Sequence, residues 1–204
     1  ALALLGSFVA RPDARGIFFL LLFFKLGDAL AAGMVTRWFV KQGLSTTDVA
    51  LSRGLVGGLA AVAGSFGAGV VMTSLGRRTG LAACAALQSL AIAMYLVLAV
   101  AAPTATASPW FPLPVYHAAS IVEHLAGGAA TAAIFGRMMD LAREDARATD
   151  YTAMSCALVA VQGMGLVASG FITKGLGLTG LFAVATVAGL AAPFAAARFK
   201  NGAT

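Results

Sequence analysis

The sequence predicts an all-α polytopic membrane protein with six transmembrane helices, and three observations carry that prediction. Of its 204 residues 60% are hydrophobic and 11% charged, and the mean hydropathy of +0.89 lies outside the range of soluble domains. Six stretches each hold the roughly 20 apolar residues that a helix needs to cross about 30 Å of hydrocarbon. They run over 16–38, 49–74, 80–102, 113–141, 151–173 and 176–197. Lys and Arg fall unevenly between alternate connections: eight on one side (Arg11, Arg15, Arg77, Arg78, Arg143, Arg147, Arg198, Lys200) and three on the other (Arg37, Lys41, Lys174). Short cytoplasmic loops keep their basic residues, so both termini are expected in the cytoplasm.

The first stretch opens after "ALALLGSFVARPDARG", which has no positive region ahead of its apolar start and does not read as a cleavable signal peptide. Residues 1–15 are expected to be a cytoplasmic linker remnant of something upstream, 16–198 the six-span bundle, and 199–204 a cytoplasmic tail. "KQGLSTTD" separates the first two spans and offers Thr47 and Asp48 as N-caps. The second span is rich in glycine, with Gly54, Gly57, Gly58, Gly64, Gly67 and Gly69, and the fifth holds Gly163, Gly165 and Gly170. Such rows let helices approach closely in lipid or bend, and plain packing explains any one of them equally well. "SLGRRTG" is a tight basic turn into the third span, and "APTATASPWFPLP" a Pro-rich loop with an interfacial Trp110. "REDARATD" reads as a charged loop, and "KGLGLTG" as a very short last connection.

Two pairs of ionisable residues break the apolar runs. In "FFKLGDAL", Lys25 lies nine residues into the first span, about 14 Å along a helix and close to the midplane. Asp28, three residues on, shares its face and can pair with it. The fourth span repeats the pattern with Glu123 and His124 near its centre. A carboxylate at that depth exchanges a proton when burial raises its pKa, and an imidazole titrates near neutrality, which together make proton-relay chemistry. Arg53, Gln88 and Gln162 add polar groups to the second, third and fifth spans, suited to anionic groups and to amides or sugar hydroxyls. Each has a plainer reading. Lys25 and Asp28 serve equally as a structural ion pair, Gln88 and Gln162 as interhelical glue, and His124, about 100° round the helix from Glu123, as a group facing a neighbour. His117, Arg137 and Asp140 are expected at the interface.

Several function classes are excluded. The net charge of +6 comes in ones and twos between apolar runs, without the basic stripe or interleaved aromatics of a nucleic-acid binder. Cys84 and Cys156 have no CxxC or ligand spacing and read as buried packing residues; no metal or cofactor is expected. Neither a Gly-x-Ser-Gly turn nor His-Glu-x-x-His is present, which disfavours an intramembrane enzyme. A noncatalytic assembly module is the alternative to a transporter domain.

"FFKLGDALAAGMVTRWFV", "VEHLAGGAATAAIFGRMMDL" and "ATDYTAMSCALVAVQG" resemble stretches in the second half of AmpG-like muropeptide permeases, members of the major facilitator superfamily related to acetyl-coenzyme A transporters. The resemblance covers about 16–198, and its most specific runs are Lys-Leu-Gly-Asp-Ala at 25–29 and Gly-Gly-x-x-Thr-Ala at 127–132. "GVVMTSLGRR" at 69–78 resembles the superfamily's loop motif: Gly69, Gly76, Arg77 and Arg78 match, whereas Thr73 and Ser74 stand in the Asp and Arg places. That departure implies no charge-relay gating here and leaves Arg77 and Arg78 as lipid-facing anchors. His124 stands where the family tends to an amide. The resemblance implies a twelve-span, proton-coupled inner-membrane symporter that imports muropeptides for cell-wall recycling, with this chain as its C-terminal six-helix half. It also implies an N-terminal six-helix half as partner, on the same or a separate chain, with membrane lipid, protons and a small solute as the other partners. Such carriers place their sites near the midplane, between repeats.

Overall fold

Lipid offers the backbone no hydrogen bonds, so each apolar stretch closes its own as a helix. The structure, a computed structural model, describes residues 2–101 and 113–198, and side chains over 6–101 and 114–197. The elements are α1 (Leu2–Val9), α2 (Ala14–Lys41), α3 (Thr46–Leu75), α4 (Arg77–Ala101) and α5 (Leu113–Leu141). A single 3₁₀ turn, Glu144–Ala146, then leads into a helical stretch over Arg147–Arg198. Trp110 and Lys200 lie outside the described residues.

The last stretch is 52 residues long, about 78 Å if straight and far more than a bilayer spans. It is broken at Gly177, where φ is 72° and ψ −179°. Its parts are α6 (147–176) and α7 (178–198). Gly27 of α2 lies against Gly189 while Ala29, half a turn away, lies against Gly165, so α6 and α7 reach the same depth and the chain turns back at Gly177. Six long helices result, matching the six apolar stretches. Gly76, at φ 78° and ψ 161°, joins α3 to α4 through one residue in the same way. This corner of backbone space is essentially closed to other residues and costs of order 1–3 kcal/mol. Gly177→Ala is therefore expected to lower stability by about that amount, read as a fall in the thermal midpoint of the detergent-solubilised protein, whereas Gly175→Ala, in open helical surroundings, is expected to leave it unchanged.

Helices of like direction pack in two pairs. Along α2 and α6, Ala29 meets Gly165 and Gly33 meets Ser169; along α3 and α5, Gly57 meets His124 and Gly128 meets Ala61. The close approaches need glycine, because a Cβ on Gly64 or Gly128 would overlap the carbonyl of Leu125 or Ala61. Of the glycine row in α3, Gly57 and Gly64 serve packing, seven residues apart on one face. A Cβ added to Gly54, Gly58, Gly67 or Gly69 would meet no other described part of the bundle within 4 Å. Pairing of first with fifth and second with fourth long helices is the connectivity of two three-helix repeats of opposite orientation, α2–α4 and α5–α7.

The core has two parts. Towards the Arg-rich end it is aliphatic around Leu20, Leu21, Ile134 and Met138. Towards the opposite end it is aromatic: Trp38 contacts Tyr95, Tyr116 and Phe182 at centroid distances of 6.0, 5.6 and 5.1 Å.

Several expectations are corrected at the helix ends. Ser45, not Thr47 or Asp48, caps α3: its Oγ accepts from the Asp48 N–H at 3.0 Å, and the Asp48 carboxylate reaches back to the Ser45 N–H at 3.3 Å. Residues 2–9, inside the segment ahead of the first span, are helical, with Phe8 fully buried. Arg11 and Arg143 converge on the buried Asp150 at 3.3 and 2.8 Å, so the segment ahead of α2 is tied to the α5–α6 connection. Hydrogen bonding to Asp150 holds the Arg143 guanidinium above its usual range. Arg77 and Arg78 are not free anchors: Arg77 pairs with Asp140 at 2.6 Å, and Arg78 donates to the Ala197 carbonyl. Arg137, placed at the interface by its sequence position, is buried. Cys84 is buried as expected but Cys156, on α6, is exposed.

Candidate functional site: two charged groups inside the spans

The first group joins α2 to α4. Lys25 and Asp28, one turn apart, point the same way, and Lys25 Nζ donates to Asp28 Oδ2 at 3.0 Å. Gln88 of α4 donates through Nε2 to the other carboxylate oxygen at 3.1 Å. Lys25 is only 3% exposed and Asp28 17% on its side chain, so this carboxylate is the more open member.

The second group joins α3, α4 and α5. Residues Leu51–Val56 of α3 form a π-helical segment, a local widening that often accompanies functional sites, and Arg53 sits within it. Arg53 Nη1 stands 3.5 Å from Glu123 Oε2 and donates to the Tyr95 hydroxyl at 3.3 Å. That hydroxyl in turn donates to Glu123 Oε2 at 3.3 Å. The Arg53 guanidinium also lies over the Phe39 ring, 5.9 Å from its centroid. His124 does not turn away from its neighbour: Nδ1 is 2.8 Å from Glu123 Oε2 and 2.8 Å from the Ser120 carbonyl. Its ring fits because Gly57 on α3 has no side chain; a Cβ there would come within 2.7 Å of His124 Cδ2.

The two groups share α4. Gln88 and Tyr95 are seven residues apart on one face, two turns or about 10 Å. Gly127, one turn along α5 from Glu123, faces Gln88, with a built Cβ 3.4 Å from Gln88 Oε1. That oxygen is buried with no hydrogen-bond partner among the described residues, so an acceptor stands ready between the groups. Each group balances a cation against a carboxylate, which lowers the cost of charge at this depth. Glu123 presents Oε1, which accepts no hydrogen bond among the described residues, whereas both oxygens of Asp28 are held.

Of the residues singled out from sequence, Lys25, Asp28 and Gln88 form one group and Arg53, Glu123 and His124 the other. Gln162 joins neither by a hydrogen bond among the described residues; it is half-buried on α6. Tyr95 was not singled out, because a tyrosine in "AIAMYLVLAV" reads as apolar filling; its place one heptad after Gln88 was the available signal. Among the described residues no group of three His, Cys, Asp or Glu could hold a metal ion.

No protein-family model matches the chain. Over 188 residues, 92% of its length, it is 25% identical to "Putative transporter AmpG 4" of Rickettsia felis and 26% identical to the protein of that name in Rickettsia conorii, covering 44% of each. It is 30% identical over 152 residues, 74% of its length, to the anhydromuropeptide permease of Escherichia coli K12, covering 29% of that protein. The chain thus spans less than half the length of the curated relatives it matches. Likeness across nine-tenths of the chain, on an all-helical bundle of membrane-spanning length, places it with the AmpG-like permeases.

Proposed function

We propose that the chain is the C-terminal six-helix half of a proton-coupled permease that imports a muropeptide-like solute across the bacterial inner membrane, with both termini in the cytoplasm. The observation that carries this reading is the pair of charge-balanced groups inside the spans, one on the first helix of each three-helix repeat and both bonded to α4. Buried charges in a bilayer are costly and mark transport routes. The eight-to-three bias of Lys and Arg supports the orientation. A second six-helix half would complete the route, because alternating access needs one bundle to rock against another.

In this mechanism a proton from the outer side adds to the Glu123 carboxylate and weakens its bond to Arg53. The freed guanidinium takes a carboxylate of the solute, while Gln88 hydrogen-bonds its amides or hydroxyls. Asp28, held by Lys25 and Gln88, is the second proton-accepting group, and His124, whose Nδ1–H lies between the Ser120 carbonyl and Glu123, orients the Glu123 carboxylate. Release of solute and proton on the cytoplasmic side restores both ion pairs. The test uses the intact protein, with whatever sequence flanks residues 1–204, reconstituted in proteoliposomes. An inward proton gradient is expected to drive accumulation of a labelled anhydro-muropeptide, and a protonophore to abolish it. Accumulation that survives the protonophore unchanged would refute proton coupling.

A further inference from the structure

The three cations at the end opposite the Arg-rich one surround a single groove. Arg37 and Lys41 of α2 and Lys174 of α6 line it together with Met34, Thr173 and Leu178, and it encloses about 480 Å³. None of the three cations has an ion pair or hydrogen bond among the described residues. At the other end Arg11, Arg77, Arg143 and Arg147 each hold a carboxylate. No carboxylate lines the groove. Three uncompensated positive charges on a small concave surface suit an oxyanion, either a phosphate or a carboxylate.

Depth and surroundings favour an oxyanion from the bilayer over one from water. Arg37 is twelve residues beyond Lys25 and Lys41 sixteen, about 18 and 24 Å along α2. Half the hydrocarbon thickness is about 15 Å, so both stand at headgroup level if Lys25 is near the midplane. The neighbouring surface is apolar: Phe171 is 73% exposed, Leu176 63% and Val40 43%. A watery vestibule would be rimmed by polar groups, whereas side chains of this kind meet acyl chains while adjacent Lys and Arg reach the phosphate layer.

We infer that the groove between α2 and the α6–α7 turn is an oxyanion site filled by the phosphate of an anionic phospholipid, a role independent of the solute carried. The test is native mass spectrometry of the intact protein in detergent, offered equimolar phosphatidylglycerol and phosphatidylcholine of the same chain length. Wild type is expected to retain phosphatidylglycerol with a preference of about tenfold. The R37Q/K41Q/K174Q variant is expected to lose that preference, whereas R147Q, at the other end, and the charge-keeping R37K keep it. All four changed positions are exposed, and an unchanged far-ultraviolet spectrum confirms that the variants fold. Equal retention of both lipids by wild type, or an undiminished preference in the triple variant, would overturn the site. Displacement of the lipid by a tenfold excess of inorganic phosphate would overturn the bilayer as its source.

Discussion

Glu123→Gln is expected to lower proton-driven accumulation by about 100-fold or more, the scale of removing a positioned proton-transfer group, while solute exchange at zero gradient persists. The amide keeps the size of the side chain and can still accept from Arg53 and Tyr95, so the packing of α3, α4 and α5 should survive. What it cannot do is cycle between charged and neutral forms. A purely structural role predicts the opposite pattern, with expression and exchange falling together. Pairing the change with Arg53→Gln sharpens the distinction, because the double variant removes both charges and leaves neither stranded. It should fold at least as well as the single variant and remain uncoupled. An uptake assay with and without an imposed gradient, run on both variants, checks this.

Asp28→Ala should be the most damaging change to stability in the bundle interior. It leaves Lys25 Nζ, on a side chain only 3% exposed, without an acceptor, and strands the Gln88 amide donor as well. Removing one member of a buried pair costs about 3–5 kcal/mol, enough to consume a large part of a small bundle's stability. Lys25→Met combined with Asp28→Leu should restore folding, because an apolar pair of similar volume needs no compensation. The restored protein is expected to be transport-dead. Wild-type uptake by that double variant would reduce the pair to a structural tie. Thermal midpoints in detergent and uptake in vesicles, measured on the same preparations, separate the outcomes.

The sequence exposes the fold far more fully than the site, for a physical reason. Spans are local facts: about 20 apolar residues must become a helix in lipid, and "KGLGLTG" is too short to be anything but a turn, so six helices follow from composition alone. The Lys25–Asp28 pair is nearly local too, since a three-residue spacing sets both on one face. Arg53, Tyr95 and Glu123 come from three helices, and their meeting depends on crossings set by Gly57, Gly64 and Gly128 that no periodicity reveals. Helix ends fail for a related reason. "STTD" offers four capping side chains, and the choice of Ser45 follows from the Asp48 carboxylate reaching back three residues. Arg77 and Arg78 look like anchors until α5 and α7 bring Asp140 and the Ala197 carbonyl beside them. Gln162 shows the converse: a polar residue at a suitable depth on a span need not turn toward its peers.

Water at mid-depth is what all of this requires, and Gly127 is the place to look for it. It stands half-buried between the two charged groups, where a cysteine would be tolerated against Gln88. In the intact protein with Cys84 and Cys156 replaced, Gly127→Cys is expected to react with a membrane-impermeant thiol reagent, and added anhydro-muropeptide to protect it. A cysteine at 127 that stays inert under conditions where Thr179→Cys, exposed at the hairpin end, labels fully would contradict a hydrated route between Asp28 and Glu123.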